Sequence, residues 1–154
     1  MDVRLVNPVL EATLNVLGTM AQLTPKVGKP ALKNTPLARG DVSGVMSMVS
    51  AKARASLALS FTTPVICDIV KRILGDDIAE VTDTARDLTG EMTNMVVGGA
   101  KNLFMTQGYD FDMSAPSVLS GKDHVITHKF KGRTMIVPFQ TEAGEFFVEI
   151  CFEE

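Results

Sequence analysis

The spacing of apolar residues along this chain switches from a helical repeat to strand-like alternation, and later does so a second time. Helical spacing over residues 8–22, 63–75 and 81–104 predicts three helices. Residues 42–62 alternate around a charged centre, which predicts two strands joined by a tight turn. Short segments rich in β-branched and aromatic residues then predict four more strands, at 116–123, 124–132, 133–141 and 145–153.

Residues that favour helix ends delimit two of the predicted helices. Asn7 is a suitable cap for the first helix, and Pro8 fits its first turn because that turn needs no backbone N–H. Thr63 is the expected cap of the second helix, with Pro64 in its first turn and Gly75 at its end. The third helix is expected to begin near residue 81.

An antiparallel sheet of about six strands with three helices packed on one face is the simplest arrangement that covers every apolar stripe. We therefore expect an α+β, two-layer fold in a single domain spanning residues 1–154. A shift of 80 residues also aligns the first helix with the third, which predicts pseudo-duplicated half-domains, although so short a match also arises by chance. The aligned pairs are Glu11 with Glu91, Thr13 with Thr93, and Leu14 with Asn94.

Composition and charge exclude several classes of function. The formal net charge of -3 offers no basic surface for nucleic acid or anionic lipid. No apolar run is long enough to span a bilayer and no leader pattern is present, so we expect a cytoplasmic protein that binds neither nucleic acid nor membrane. Cys67 and Cys151 stand alone and are expected to be buried thiols.

The third predicted helix carries a polar stripe that lowers its helical propensity. Asp87, Glu91, Asn94 and Gly98 fall within a stripe of about 60° on an ideal helix. Asn and Gly each cost a few tenths to about 1 kcal/mol against Ala in a helix interior, so the stripe calls for a functional reason. The opposite, apolar side is expected to face the core and comprises Leu88, Met92, Met95, Val96, Gly99 and Leu103.

The pattern Asp87, Glu91, Asn94 on a helix, followed by Pro116 at the head of a strand, resembles the signature of the CheC/CheX/FliY phosphatases of bacterial chemotaxis. Asn94 and Pro116 are separated by 21 residues, one fewer than in the family pattern. One complete copy of the pattern beside a degenerate first copy is more similar to CheX than to the two-site CheC. The resemblance covers essentially the whole chain in its order of elements, and implies a CheC-like fold.

The resemblance implies an enzyme that removes the phosphoryl group from the aspartyl phosphate of a CheY-type response regulator. Asn94 would hold the attacking water, and Glu91 would pair with a lysine of the partner. Asp87, Gly98 and Lys101 are the implied partner-binding residues. The chain would need no cofactor or metal of its own, because the regulator would hold the Mg²⁺.

The resemblance also implies a homodimer. The apolar strands predicted at 133–141 and 145–153 support that expectation, because their edges would otherwise pair without control.

Two other classes of function stay open at this point. A non-catalytic interaction module of the flagellar switch type would share the fold without needing Glu91 and Asn94 together. A small-ligand sensor would need a polar cluster in a pocket beneath the helices, for which the sequence offers no candidate. His124 and His128 would lie about 13 Å apart on a strand, too far for one metal ion, and Lys33 belongs to a connector that we expect to be solvated.

Overall fold

The computed structural model describes residues 3–154 and contains three helices and one eight-stranded sheet. The helices are α1 (Val3–Ala21), α2 (Thr63–Leu74) and α3 (Asp83–Met105). The long strands are β3 (Val42–Val49), β4 (Arg54–Phe61), β7 (Thr134–Thr141) and β8 (Gly144–Glu153). The short strands are β1 (Lys26–Val27), β2 (Ala31–Leu32), β5 (Asp112–Met113) and β6 (Ser117–Ser120).

The sheet is antiparallel throughout, and the two long hairpins form its centre. Its order is β1-β7-β8-β4-β3-β5, with β2 also paired to β7 and β6 also paired to β3. The expected α+β fold is confirmed, and the strand count rises from six to eight because very short strands carry little sequence signal.

The chain is built from two similar halves, as the internal repeat predicted. Helices α1 and α3 are each followed by two short strands and a long hairpin. The short strands of each half pair with the hairpin of the other half. Equivalent side-chain bonds also recur, because the Thr13 hydroxyl donates to the Val9 carbonyl at 2.8 Å and the Thr93 hydroxyl to the Thr89 carbonyl at 2.7 Å.

The two faces of the sheet are covered differently. All three helices contribute to one apolar core, and residues such as Leu57 and Phe61 face it. Neighbouring residues of the same strand alternate onto a second face, where Ala58 packs with Ala38 and Ile126 from two connecting segments. The three helices therefore pack on one face of the sheet.

Local structure corrects three details of the helix prediction. Helix α1 begins before Pro8, and the Arg4 carbonyl that Pro8 cannot satisfy accepts a hydrogen bond from Gln107 Nε2 at 2.9 Å. The cap of α2 is Thr62, and the Asp41 carboxylate accepts from both the N–H and the hydroxyl of Thr63 at 2.7 Å. Helix α3 begins at Asp83, two residues later than expected. Gly75 ends α2 with φ 77°, as predicted.

The strand predicted at 124–132 is wrong. One isolated bridge, between Leu37 and Val125, is its only strand-like pairing in the described chain. The segment lies across the second face of the sheet, where Ile126 is buried and His128 is hydrogen-bonded to the sheet residue Ser56. Alternate side chains therefore point at the sheet, which reproduces the period of a strand without its pairing.

Candidate functional site

The polar stripe of α3 lies on the outward face of the helix. Asp87, Glu91 and Asn94 are exposed. None of their side chains has a hydrogen bond or ion pair within residues 3–154. With a rise of about 1.5 Å per residue, Glu91 and Asn94 are roughly 4.5 Å apart along the axis, or about one turn. An amide and a carboxylate are thus presented side by side, with their hydrogen-bonding groups available to another molecule.

Close packing beneath the stripe fixes α3 on the sheet. Its first turn is capped by the Thr82 hydroxyl, which accepts from the Ala85 N–H at 3.2 Å. Farther along, a Cβ added to Gly44 of β3 would come within 2.0 Å of Thr93 Oγ1. The helix therefore lies directly against the backbone of β3, and its outward face has little freedom to shift.

The glycines of α3 serve different purposes. A Cβ on Gly90 would lie 3.0 Å from Val118 Cγ2, so this glycine allows β6 to approach the helix. For Gly98 the nearest atom to an added Cβ is Met113 Cε, at an ordinary contact distance of 3.9 Å. Packing among residues 3–154 therefore gives no reason for a glycine at position 98.

Two further residues from the sequence analysis, Lys101 and Pro116, lie at the border of the polar stripe. Lys101 is half-buried on the same side of α3, and the ten residues from Glu91 correspond to about 15 Å along the axis. Pro116 is exposed just before β6, whose Val118 contacts the helix at Gly90. Asp87, Glu91, Asn94 and Gly98 are brought onto one face, while Lys101 and Pro116 border it.

Met95 contradicts the sequence-based assignment of the apolar side. Its side chain was expected in the core, but the residue is 40% exposed beside the polar stripe. The reason is that α1 packs against α3 around Gly99, where an added Cβ would lie 3.2 Å from Ala12 Cβ, and Met95 projects outside this contact. Its position at the boundary of the helical wheel was the signal that could have identified it.

A second polar cluster, which the sequence analysis missed, lies on the opposite face of the sheet. Lys33 Nζ lies 2.6 Å from Glu149 Oε2, and the two side chains are 3% and 0% exposed. His128 contacts Glu149 Oε1 at 3.0 Å and Ser56 Oγ at 2.6 Å. The expectation that Lys33 is solvated is therefore wrong. A cavity of about 370 Å³ adjoins the cluster.

Neither the histidines nor the cysteines form a reactive centre. His124 contacts Ser43 Oγ at 2.7 Å, so the two histidines have separate partners. Among residues 3–154 no three His, Cys, Asp or Glu side chains could together hold a metal ion. Burial raises the pKa of the Cys151 thiol, and also that of Cys67, which is half-buried rather than buried as expected. Both thiols are therefore poor nucleophiles.

No helix within residues 3–154 is both long and apolar enough to cross a membrane.

Comparison with known proteins places the chain in a family. Residues 42–140 match the family model described as chemotaxis phosphatase CheX. A CheC-like superfamily protein from Shewanella sp. PV-4 is 47% identical over 100% of both chains, with a TM-score of 0.93. The chemotaxis protein CheX from Vibrio vulnificus is 45% identical over 97% of this chain and 99% of its own, with a TM-score of 0.89.

Two further relatives have informative names. The CheY-P phosphatase CheX of Thermotoga maritima is 25% identical over 127 residues, which are 80% of this chain and 79% of the relative. The CheX of Borrelia burgdorferi, solved in a complex with CheY, BeF₃ and Mg²⁺, shares the fold at 20% identity, covering 97% of each chain with a TM-score of 0.79. Because the family model matches more than half of its length, this chain belongs to the CheX family of chemotaxis phosphatases.

Proposed function

We propose that this chain hydrolyses the aspartyl phosphate of a CheY-type response regulator. The observation that carries the proposal is the pair Glu91 and Asn94, one turn apart on an exposed helix face, with no side-chain partner among residues 3–154. The name of the Thermotoga relative and the complex of the Borrelia relative with CheY support the same partner.

Hydrolysis of an acyl phosphate requires the phosphatase mainly to position the attacking water. The oxygen of a water attacks phosphorus, the bond from phosphorus to the aspartyl oxygen breaks, and a free carboxylate and inorganic phosphate result. An acyl phosphate is already labile, so an in-line water and neutralised charge lower most of the barrier. No strong base is needed, which suits a site whose central group is a neutral amide.

Asn94 is the residue proposed to hold the water. Its amide oxygen accepts a hydrogen bond from the water while its NH₂ group donates to a phosphoryl oxygen. Because the side chain is exposed at the middle of α3, it can enter a shallow site on another protein. Fixing the water in line with the breaking bond lowers the entropic part of the barrier.

Glu91 is proposed to pair with a lysine of the regulator and so set the depth to which Asn94 enters. Asp87, one turn earlier, adds negative charge that steers the same cationic site during encounter. Gly98 leaves room for close approach, and Lys101 contacts an acidic part of the regulator beyond the reaction centre. In this proposal the Mg²⁺ belongs to the regulator.

The test is the decay of phosphorylated CheY-type regulators from the same genome. Each receiver domain is phosphorylated with acetyl phosphate, freed of donor, and followed in Mg²⁺ with and without this chain. We expect at least one regulator to lose phosphate at least tenfold faster in its presence. If none does, the proposed function is wrong and a non-catalytic interaction module becomes the better interpretation.

A further inference from the structure

The outward face of α3 contains one exposed apolar side chain among polar ones. Between Thr84 and Asn102, Met95 is the only large hydrophobic residue exposed to solvent. At 40% exposure, part of its side chain is open to solvent and available to a partner.

Met95 adjoins the residues proposed to act on the regulator. It follows Asn94 directly, lies one turn beyond Glu91, and precedes Gly98 by three residues. Gly98 has no side chain, and the structure has room for one. Together Met95 and Gly98 make a low apolar patch beside the amide, bordered by charged residues.

We propose that Met95 is an apolar anchor for the docked response regulator, an inference that rests on the proposed function. Contacts that carry binding energy are commonly apolar side chains surrounded by a polar rim that excludes water. The flexible thioether of Met adapts to its neighbours and loses little on desolvation. The acidic rim formed by Asp87 and Glu91 complements a cationic site that holds a lysine and Mg²⁺, and this selects a phosphorylated receiver domain as the occupant.

The proposed anchor requires a complementary apolar group on the regulator. Beside its phosphorylated aspartate it must present an aliphatic or aromatic side chain, or exposed methyl groups, at the position that Met95 reaches. A regulator with a charge there would bury that charge against an apolar side chain, which is unfavourable. Met95 therefore contributes to the choice of regulator, while Asn94 acts on the water.

The experiment compares Met95→Gln with Met95→Leu. Glutamine keeps the length and helix propensity of methionine but is polar, whereas leucine stays apolar. Lysine is avoided because it would form an (i, i+4) pair with Glu91. Leu74→Gln is the matched control, since Leu74 is 49% exposed and lies on a different helix, at the end of α2.

We expect Met95→Gln to raise the KM for a phosphorylated CheY-type receiver domain by about tenfold, while kcat stays within about twofold. Met95→Leu and Leu74→Gln should both stay within about twofold of the parent in KM and kcat. Thermal unfolding should be the same for all four proteins, which separates a contact with the regulator from a structural role.

The outcomes separate the inference from the proposed function. If the parent chain dephosphorylates a regulator and Met95→Gln has an unchanged KM, the anchor is wrong and the proposed function stands. A loss in kcat at unchanged KM also overturns the anchor, because it assigns the side chain to the chemical step. If the parent chain is inactive on every regulator, both the proposed function and the anchor are wrong.

Discussion

Gly99 and Ala12 lie at a close contact between the two equivalent helices, since a Cβ added to Gly99 would lie 3.2 Å from the Cβ of Ala12. One residue earlier, Gly98 has ordinary space, with its nearest neighbour at 3.9 Å. The two adjacent glycines of α3 therefore have different surroundings. Gly99 permits the packing of α1 on α3, whereas Gly98 lies on the outward face with space for a side chain.

Substituting the two glycines should separate stability from activity. Gly98→Ala should raise the stability of the fold by up to about 1 kcal/mol, because alanine is the better helix former, and yet lower activity on the regulator severalfold. Gly99→Ala should be less stable than Gly98→Ala, because its methyl group crowds Ala12. Urea unfolding and single-turnover dephosphorylation check both. A Gly98→Ala protein with full activity would remove Gly98 from the partner-binding face.

Asn94 and Glu91 should fail in different ways. Asn94→Ala should slow dephosphorylation by roughly 10²-fold or more while the complex still forms, because it removes an interaction made in the transition state. Glu91→Ala should also weaken association, and its defect should vary more with salt because an interface charge pair is screened. Binding to a receiver domain and single-turnover decay measure the two effects. Full activity in Asn94→Ala would contradict the mechanism.

The sequence predicted best what depends on neighbours within a few residues. The three helices and the hairpin of β3 and β4 follow from local periodicity and from end signals such as Gly75. The polar stripe was also local, because four residues on one helix share a face whatever the helix packs against. Its exposure is confirmed, and the roles of its residues stay predictions.

Features that depend on distant partners could not be predicted. Whether Met95 is buried depends on how far α1 covers α3, which no pattern within α3 specifies. Residues 124–132 have the period of a strand because alternate side chains point at the second face of the sheet. The pattern alone does not show that the segment lies across that face instead of pairing at an edge. The pair of Lys33 and Glu149 joins residues 116 positions apart, and a single sequence carries no signal for such a contact.

The first helix should be catalytically silent. Leu14 occupies the place equivalent to Asn94 and packs partly buried against the core, while Glu11 is exposed like Glu91. Glu11→Ala should therefore leave dephosphorylation within about twofold of the parent, as for a surface change away from the site. The decay assay measures this directly. A tenfold loss in a protein that still unfolds normally would instead support a second active site on α1.

We still expect a homodimer, but the strand edge that supports it differs from the edges considered in the sequence analysis. Strand β8 lies between β7 and β4, and the outer edge of β7 is covered by β1 and β2, so these apolar edges are not free. Strand β6 pairs with β3 alone in the described chain, which leaves its other edge for a second copy. Light scattering at tens of micromolar should give about twice the chain mass of 16.6 kDa. A monomer, or a dimer unaffected by Leu119→Lys on β6, would count against this edge.

The buried pair of Lys33 and Glu149 should stabilise the fold without contributing to catalysis. Lys33→Met leaves the fully buried Glu149 without its ammonium partner, and breaking such a pair costs about 3–5 kcal/mol. Lys29→Met, at an exposed position of the same connector, is the matched control and should be nearly neutral. Urea unfolding measures the difference. Equal stability of the two variants would show that the pair contributes nothing.

Removing both charges distinguishes an ion pair from simple packing. The double variant Lys33→Met, Glu149→Leu should recover part of the stability lost in Lys33→Met, because no unpaired carboxylate remains. The recovery is incomplete because His128 Nε2 loses its contact with Glu149 Oε1. His128 would keep its contact with Ser56 at 2.6 Å. Dephosphorylation by the folded double variant should match the parent, because the cluster lies on the face of the sheet opposite α3. A large loss of activity in a fully folded double variant would mean that the second face of the sheet affects the site on α3.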